Sequence, residues 1–157
     1  MTSHQDFLKR AVAVGSLGMN GDIGGPFGAI IVKDGEIIAE GCNQVTSSND
    51  PTAHAEVTAI RLACKKLNSF QLDDCILYTS CEPCPMCLGA IYWARPKKVY
   101  FAASKVDAAD AGFDDAFIYK ELDLDYEKRK IPFVQDRVAE SVQLFTDWKK
   151  KEGKIDY

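Results

Sequence analysis

Apolar positions recur at helical intervals near the start of the chain. Phe7, Leu8, Ala11, Val14, Leu17 and Gly18 predict an amphipathic helix over residues 6–20, ended by Asn20-Gly21. The pattern then changes. Phe27 to Lys33 is a nearly continuous apolar run around Ala29-Ile30-Ile31-Val32 and reads as a buried strand. Asp34-Gly35 is a two-residue hairpin signal, and Glu36 to Cys42 is the partner strand. Asn43 to Asn49 is polar and irregular. Asp50-Pro51 predicts a helix start, a capping carboxylate followed by a residue that needs no N–H, with the helix running to Leu67. Cys75 to Thr79 predicts a short buried strand, and Lys98 to Ala102 another. Between them Cys84 to Ala94 predicts a helix stopped by Arg95-Pro96. Residues 103–130 predict short helices and loops. Phe133 to Val138 predicts a fifth strand, and Val142 to Lys151 a last helix.

Strands joined through helices pair in parallel, whereas a hairpin pairs antiparallel. The expected fold is therefore α/β: three layers, α/β/α, with a five-stranded mixed sheet and helices on both faces. At 157 residues, a single domain over 1–157 is expected. No apolar run approaches the ~20 residues that a membrane span needs. Nineteen basic against 23 acidic side chains give a net charge of −4, which disfavours nucleic acid or an anionic membrane as partner. Asp6, Lys9 and Arg10 interrupt the first twenty residues, unlike an export signal, so the expected location is cytoplasmic.

Six cysteines against two histidines change this ordinary picture. In a reducing compartment they are core residues or metal ligands rather than disulfides. Cys42, Cys64 and Cys75 stand alone among apolar neighbours and read as buried small hydrophobes. Cys81, Cys84 and Cys87 are spaced C-x2-C-x2-C. Cys84 and Cys87 open one predicted helix, and His54-Ala55-Glu56 lies at the start of another. Residues three apart share a helix face, and a helix N-terminus favours thiolates. One imidazole and two thiolates suit Zn2+, and three protein ligands leave the fourth tetrahedral position open to water. An adjacent carboxylate, Glu56, can then carry a proton from that water to a leaving group. Two alternatives stand beside this reading: a closed structural site with Cys81 as fourth ligand, and an iron–sulfur cluster, which needs four ligands. Glu56 would be idle in a structural zinc protein.

These residues carry a resemblance. Pro26-Phe27-Gly28-Ala29, Asn43, Asp50-Pro51-Thr52-Ala53-His54-Ala55-Glu56 and the segment from Thr79 through Pro83-Cys84-Pro85-Met86-Cys87 to Ala90 resemble the zinc-dependent cytidine deaminase superfamily. Ile91-Tyr92-Trp93-Ala94-Arg95, Ala111-Gly112-Phe113-Asp114-Asp115 and Tyr157 make the chain most similar to its small bacterial guanine deaminases. The resemblance implies one Zn2+ per subunit on His54, Cys84 and Cys87, with Glu56 as proton shuttle. It implies hydrolytic attack on the amine-bearing carbon of guanine, releasing xanthine and ammonia. Asn43 and Asp115 are the positions that would read the base. Phe27 and Trp93 would sandwich it, the backbone N–H near Ala55 would help hold it, and Tyr157 would close the site. It also implies a homodimer in which residues 140–157, the C-terminal helix and tail, exchange between subunits. Rival activities are deamination of adenosine in tRNA, which calls for a basic face, and deamination of another free amino heterocycle such as cytosine or an aminotriazine.

Overall fold

Ser3 and Asp6 start the first helix by capping each other. Ser3 Oγ accepts the Asp6 N–H at 3.2 Å, and the Asp6 carboxylate accepts the Ser3 N–H at 2.9 Å. The resulting α1, His4–Asn20, therefore begins slightly ahead of its apolar stripe. The computed structural model describes residues 2–157. They divide into two compact units, one running to Asp115 and the other Ala116–Tyr157.

In the first unit, β1 (Gly28–Lys33) and β2 (Glu36–Cys42) form the expected hairpin. Asp34 (φ 51°) and Gly35 (φ 82°) both adopt positive φ, the requirement of a primed two-residue turn. A short helix, α2 (Val45–Ser48), occupies part of the stretch expected to be irregular. Then come α3 (Ala55–Leu67), β3 (Cys75–Cys81), α4 (Pro85–Ala94), β4 (Lys98–Ala103) and α5 (Lys105–Asp110). The sheet order is β2-β1-β3-β4. β1 is antiparallel to both β2 and β3, and β3 runs parallel to β4.

Alternate residues of β1 and β3 face opposite layers. Ile30, Val32 and Tyr78 pack with Phe7, Ala11 and Val14 of α1. Ala29, Ile31 and Leu77 pack with Ala55, Ala59 and Ala63 of α3 and with Ile91 and Ala94 of α4. The α/β/α layering is thus as expected. Small residues bring α3 close to the sheet. A Cβ on Gly41 would stand 2.6 Å from the Ala59 nitrogen and 2.7 Å from the Ala55 carbonyl oxygen. Gly41 is therefore what lets the first turn of α3 lie against β2.

Two local expectations are corrected. Asp50 does not cap α3. Its carboxylate accepts the Thr52 N–H at 2.8 Å and the Thr52 hydroxyl at 2.7 Å, making a turn that delivers His54 to the helix start. His54 itself is the N-cap residue of α3. The sheet has four strands, not five, because Phe133–Val138 is irregular chain. A strand persists only through pairing with a neighbour. Here Phe133 gives its N–H to the Tyr126 carbonyl at 3.1 Å, Arg129 lies over its ring, and Val134 is 85 % exposed. The second unit is helical where it is regular: α6 (Ala116–Leu122), a 3-10 turn (Tyr126–Lys128) and α7 (Ala139–Lys150). Among the described residues no helix is long and apolar enough to cross a membrane.

Candidate active site

Two helix starts and one strand end meet in a cavity of about 390 Å³. His54 caps α3, and Cys84 caps α4, where Pro85 takes a first-turn position that needs no N–H. Cys87 lies one turn into α4 and is fully buried. His54 Nδ1 stands 3.5 Å from Cys84 Sγ and 3.5 Å from Cys87 Sγ, and the three ligand atoms lie within 4.8 Å of one another. Zinc bonds of about 2.0 Å to nitrogen and 2.3 Å to sulfur put tetrahedral N and S ligands about 3.6 Å apart. The side chains are therefore already spaced for the ion, and a donor set of one imidazole and two thiols fits it.

The two thiols differ. Cys84 accepts hydrogen bonds from Cys87 and His54, which hold it down to about 4. Cys87 is pushed far up, first by that same bond, as its donor, and then by burial. Cys84 raises the His54 imidazole by accepting a hydrogen bond from it. Cys81 lines the cavity but stands outside the triad. Its buried Sγ donates to the Ser104 carbonyl oxygen at 3.4 Å, so it is not a fourth ligand. The lone cysteines are unequal: Cys75 is buried in the core, while Cys42 and Cys64 are only half-buried against it.

Glu56 sits in the first turn of α3, only 6 % exposed. Its Oε1 accepts the Thr79 hydroxyl at 3.2 Å, and its Oε2 accepts from Cys87 Sγ at 3.4 Å. Burial pushes its carboxyl above the usual range. Thus a proton-carrying group adjoins the triad inside a shielded cavity.

Asn43 lines the same cavity and is buried. Its Oδ1 accepts the backbone N–H groups of Gly25 and Val45, each at 3.2 Å. The amide therefore keeps its N–H donors for a ligand, a sharper role than the mixed donor and acceptor of the free side chain. Asp115 arrives by a different route. Glu82 accepts the Lys105 backbone N–H at 3.1 Å, fastening α5 to the end of β3. Phe113 then bonds back to the Ala108 carbonyl at 2.9 Å, turning residues 113–115 into the cavity wall. Burial, then the nearby Cys84, raises the Asp115 carboxyl. Phe27 lines the cavity with its ring edge-on to Phe113, at 4.9 Å and 87°.

Not every candidate is brought together. Ala55 is fully buried at the start of α3 and does not line the cavity. Trp93 is 64 % exposed on α4 and does not line the cavity. Tyr157 belongs to the second unit and is exposed. Conversely, Thr79, Glu82, Lys105 and Phe113 take part without having been given a role from the sequence. Thr79, Glu82 and Phe113 lie inside the segments that carry the resemblance, and Thr79 is also a hydroxyl in an otherwise apolar strand row.

Comparison with known proteins agrees with this geometry. Residues 1–103 match the family model of the cytidine and deoxycytidylate deaminase zinc-binding region. The chain is 66 % identical to the guanine deaminase of Bacillus subtilis over 155 residues, 99 % of either chain. The X-ray structure of a guanine deaminase from that organism superposes with a TM-score of 0.97, again over 99 % of both chains. A tRNA-specific adenosine deaminase of Aquifex aeolicus is 53 % identical over 78 residues, 50 % of this chain and 52 % of that one. A solved structure in complex with 2,6-diaminopurine is 33 % identical, with a TM-score of 0.70, and covers 73 % of this chain and 64 % of that one. With its thiol–imidazole triad at zinc spacing and two thirds of its length inside the family model, the chain belongs to the cytidine and deoxycytidylate deaminase zinc-binding family.

Proposed function

We propose that this chain is a guanine deaminase, converting guanine and water into xanthine and ammonia. One observation carries the choice of substrate. Identity to the Bacillus subtilis guanine deaminase is 66 % over 99 % of the chain, whereas the tRNA-specific adenosine deaminase of Haemophilus influenzae, which matches 83 % of the chain, is only 33 % identical to it.

His54, Cys84 and Cys87 would hold the zinc, which would supply a water activated by a pKa lowered to about 7. Glu56 takes a proton from the attacking water and delivers one to the departing amine, and the water's second proton ends on the ring nitrogen beside the attacked carbon. A carbon–oxygen bond forms, the carbon–nitrogen bond breaks, and nitrogen leaves as ammonia. Its burial suits Glu56 to the task, because a raised carboxyl accepts a proton more readily near neutral pH. The Asn43 amide donates to an acceptor on the purine, and Asp115 accepts from its N–H groups. The base stacks on Phe27, which Phe113 braces. The first-turn N–H groups of α3, beginning at Ala55, face charge developing on the ring.

Trp93 and Tyr157 complete the site in a homodimer that exchanges residues 140–157. The exposed run of Leu88, Tyr92 and Trp93 on α4 supports a subunit contact there, and exchange of a terminal segment is a low-cost route to a dimer. A cytoplasmic location accords with the unbridged, closely spaced thiols of Cys84 and Cys87.

Ammonia release from a panel of guanine, cytosine, adenine, their nucleosides and tRNA tests the reading. Guanine is the expected best substrate. Release from a tRNA anticodon stem, with none from guanine, overturns it. Asp115→Ala is expected to lower kcat/KM for guanine about 10–100-fold, the worth of a hydrogen bond to a charged group, with zinc content unchanged. Unaltered kinetics would remove Asp115 from base recognition.

A further inference from the structure

We propose that Thr79 is a positioning residue that fixes the Glu56 carboxylate for proton transfer, an inference that rests on Glu56 as the shuttle. β3 presents Cys75 and Leu77 to α3 and α4, and Tyr78 to α1. The two-residue period puts Thr79 in the row with Cys75 and Leu77. Every packing demand of that place would be met by valine, which has the same shape. The hydroxyl is instead 1 % exposed and would be costly to bury without a partner. Its partner is Glu56 Oε1, at 3.2 Å and 23 residues away in sequence.

The aim of that hydroxyl is firmly set. Thr79 pairs with Ala29 of β1 on one side and Phe101 of β4 on the other, so its backbone is held within the sheet. Its β-branched side chain has little freedom about χ1. The second carboxylate oxygen, Oε2, faces Cys87 Sγ. A zinc-bound Cys87 is a thiolate and has no proton to give. In the loaded site Thr79 therefore remains the side-chain donor to Glu56, holding Oε1 and leaving Oε2 to receive and return the proton. Glu56 on α3 is in this way referred to one rigid strand of the sheet.

Thr79→Val removes the hydroxyl and keeps the shape, Thr79→Ser keeps the hydroxyl, and Thr79→Ala lacks it with less bulk. Full zinc content and a KM within about twofold of wild type are expected for Thr79→Val, with kcat lower by about 10²-fold, the scale of a misplaced reacting group. Thr79→Ala should show the same kcat loss, and Thr79→Ser should recover to within about fivefold of wild type. A thermal-melting cycle on the zinc-loaded protein reads the contact without turnover. Thr79→Val should lower Tm beside Glu56 and leave it unchanged or raise it in a Glu56→Ala background, where the hydroxyl has lost its partner. An unaltered kcat in both Thr79→Val and Thr79→Ala, no rescue by serine, zinc loss, or equal Tm shifts in both backgrounds would each overturn the proposal. Failure of the shuttle itself is separable: it appears as an active Glu56→Gln enzyme, whereas an inactive Glu56→Gln with an active Thr79→Val defeats Thr79 alone.

Discussion

Replacing Glu56 with glutamine is expected to leave zinc and guanine bound and to lower turnover about 10³–10⁴-fold, the upper range for a positioned acid and base. Glutamine has nearly the shape of glutamate and fits the same buried space. Its carbonyl oxygen can still accept the Thr79 hydroxyl that Glu56 Oε1 accepts. The amide cannot carry a proton between water and the departing amine. The step lost is therefore chemical rather than architectural. Metal analysis should find one zinc per chain, calorimetry should find guanine bound without conversion, and ammonia release should all but cease. Zinc retained together with substantial turnover would take Glu56 out of the mechanism.

The parts of the fold that could be read from sequence are those fixed by neighbours a few residues away. The stripe from Phe7 to Gly18, the Asp34-Gly35 turn and the stop at Arg95-Pro96 each act locally, and each formed. Phe133–Val138 failed because strand-forming residues do not make a strand without an edge to pair with. Asp50 shows a subtler limit. A carboxylate that accepts a nearby N–H serves a turn as well as a helix start, and here it serves the turn that carries Thr52. Only the close approach at Gly41 shows where α3 then begins to pack.

The site divides in the same way. His54 with Glu56, and Cys84 with Cys87, lie within three residues of each other, so their spacing already encodes one helix turn apiece. That the two turns face each other depends on the sheet between them. Thr79, Glu82 and Phe113 act through contacts that the chain order does not display. Asn43 was legible as a polar contact but not as a donor, since the backbone of Gly25 and Val45 decides which end of its amide remains available. Trp93 was legible only as an aromatic residue, and its helix face turns it away from the cavity lining.

Cys87→Ala is expected to abolish zinc retention and with it guanine turnover, to the background of the uncatalysed reaction. His54 and Cys84 alone give two ligands, one short of what an open catalytic site requires. The same change removes the thiol that holds Cys84 down to about 4, so the remaining cysteine becomes a weaker metal ligand as well. The loss of one side chain thus acts twice. The cap of α4 is Cys84 Sγ accepting the backbone N–H of residue 87, which alanine keeps, so far-ultraviolet circular dichroism should remain close to wild type. The wild-type protein supplies a matching test in pH. Cys87 is raised in the metal-free site, so zinc must displace its proton on entry. Loading should therefore release protons, and zinc affinity should fall as pH is lowered. Zinc titrations at several pH values, with proton release followed in weakly buffered solution, would measure both effects. Zinc held tightly by the Cys87→Ala protein, or an affinity independent of pH, would rule out Cys87 as a ligand.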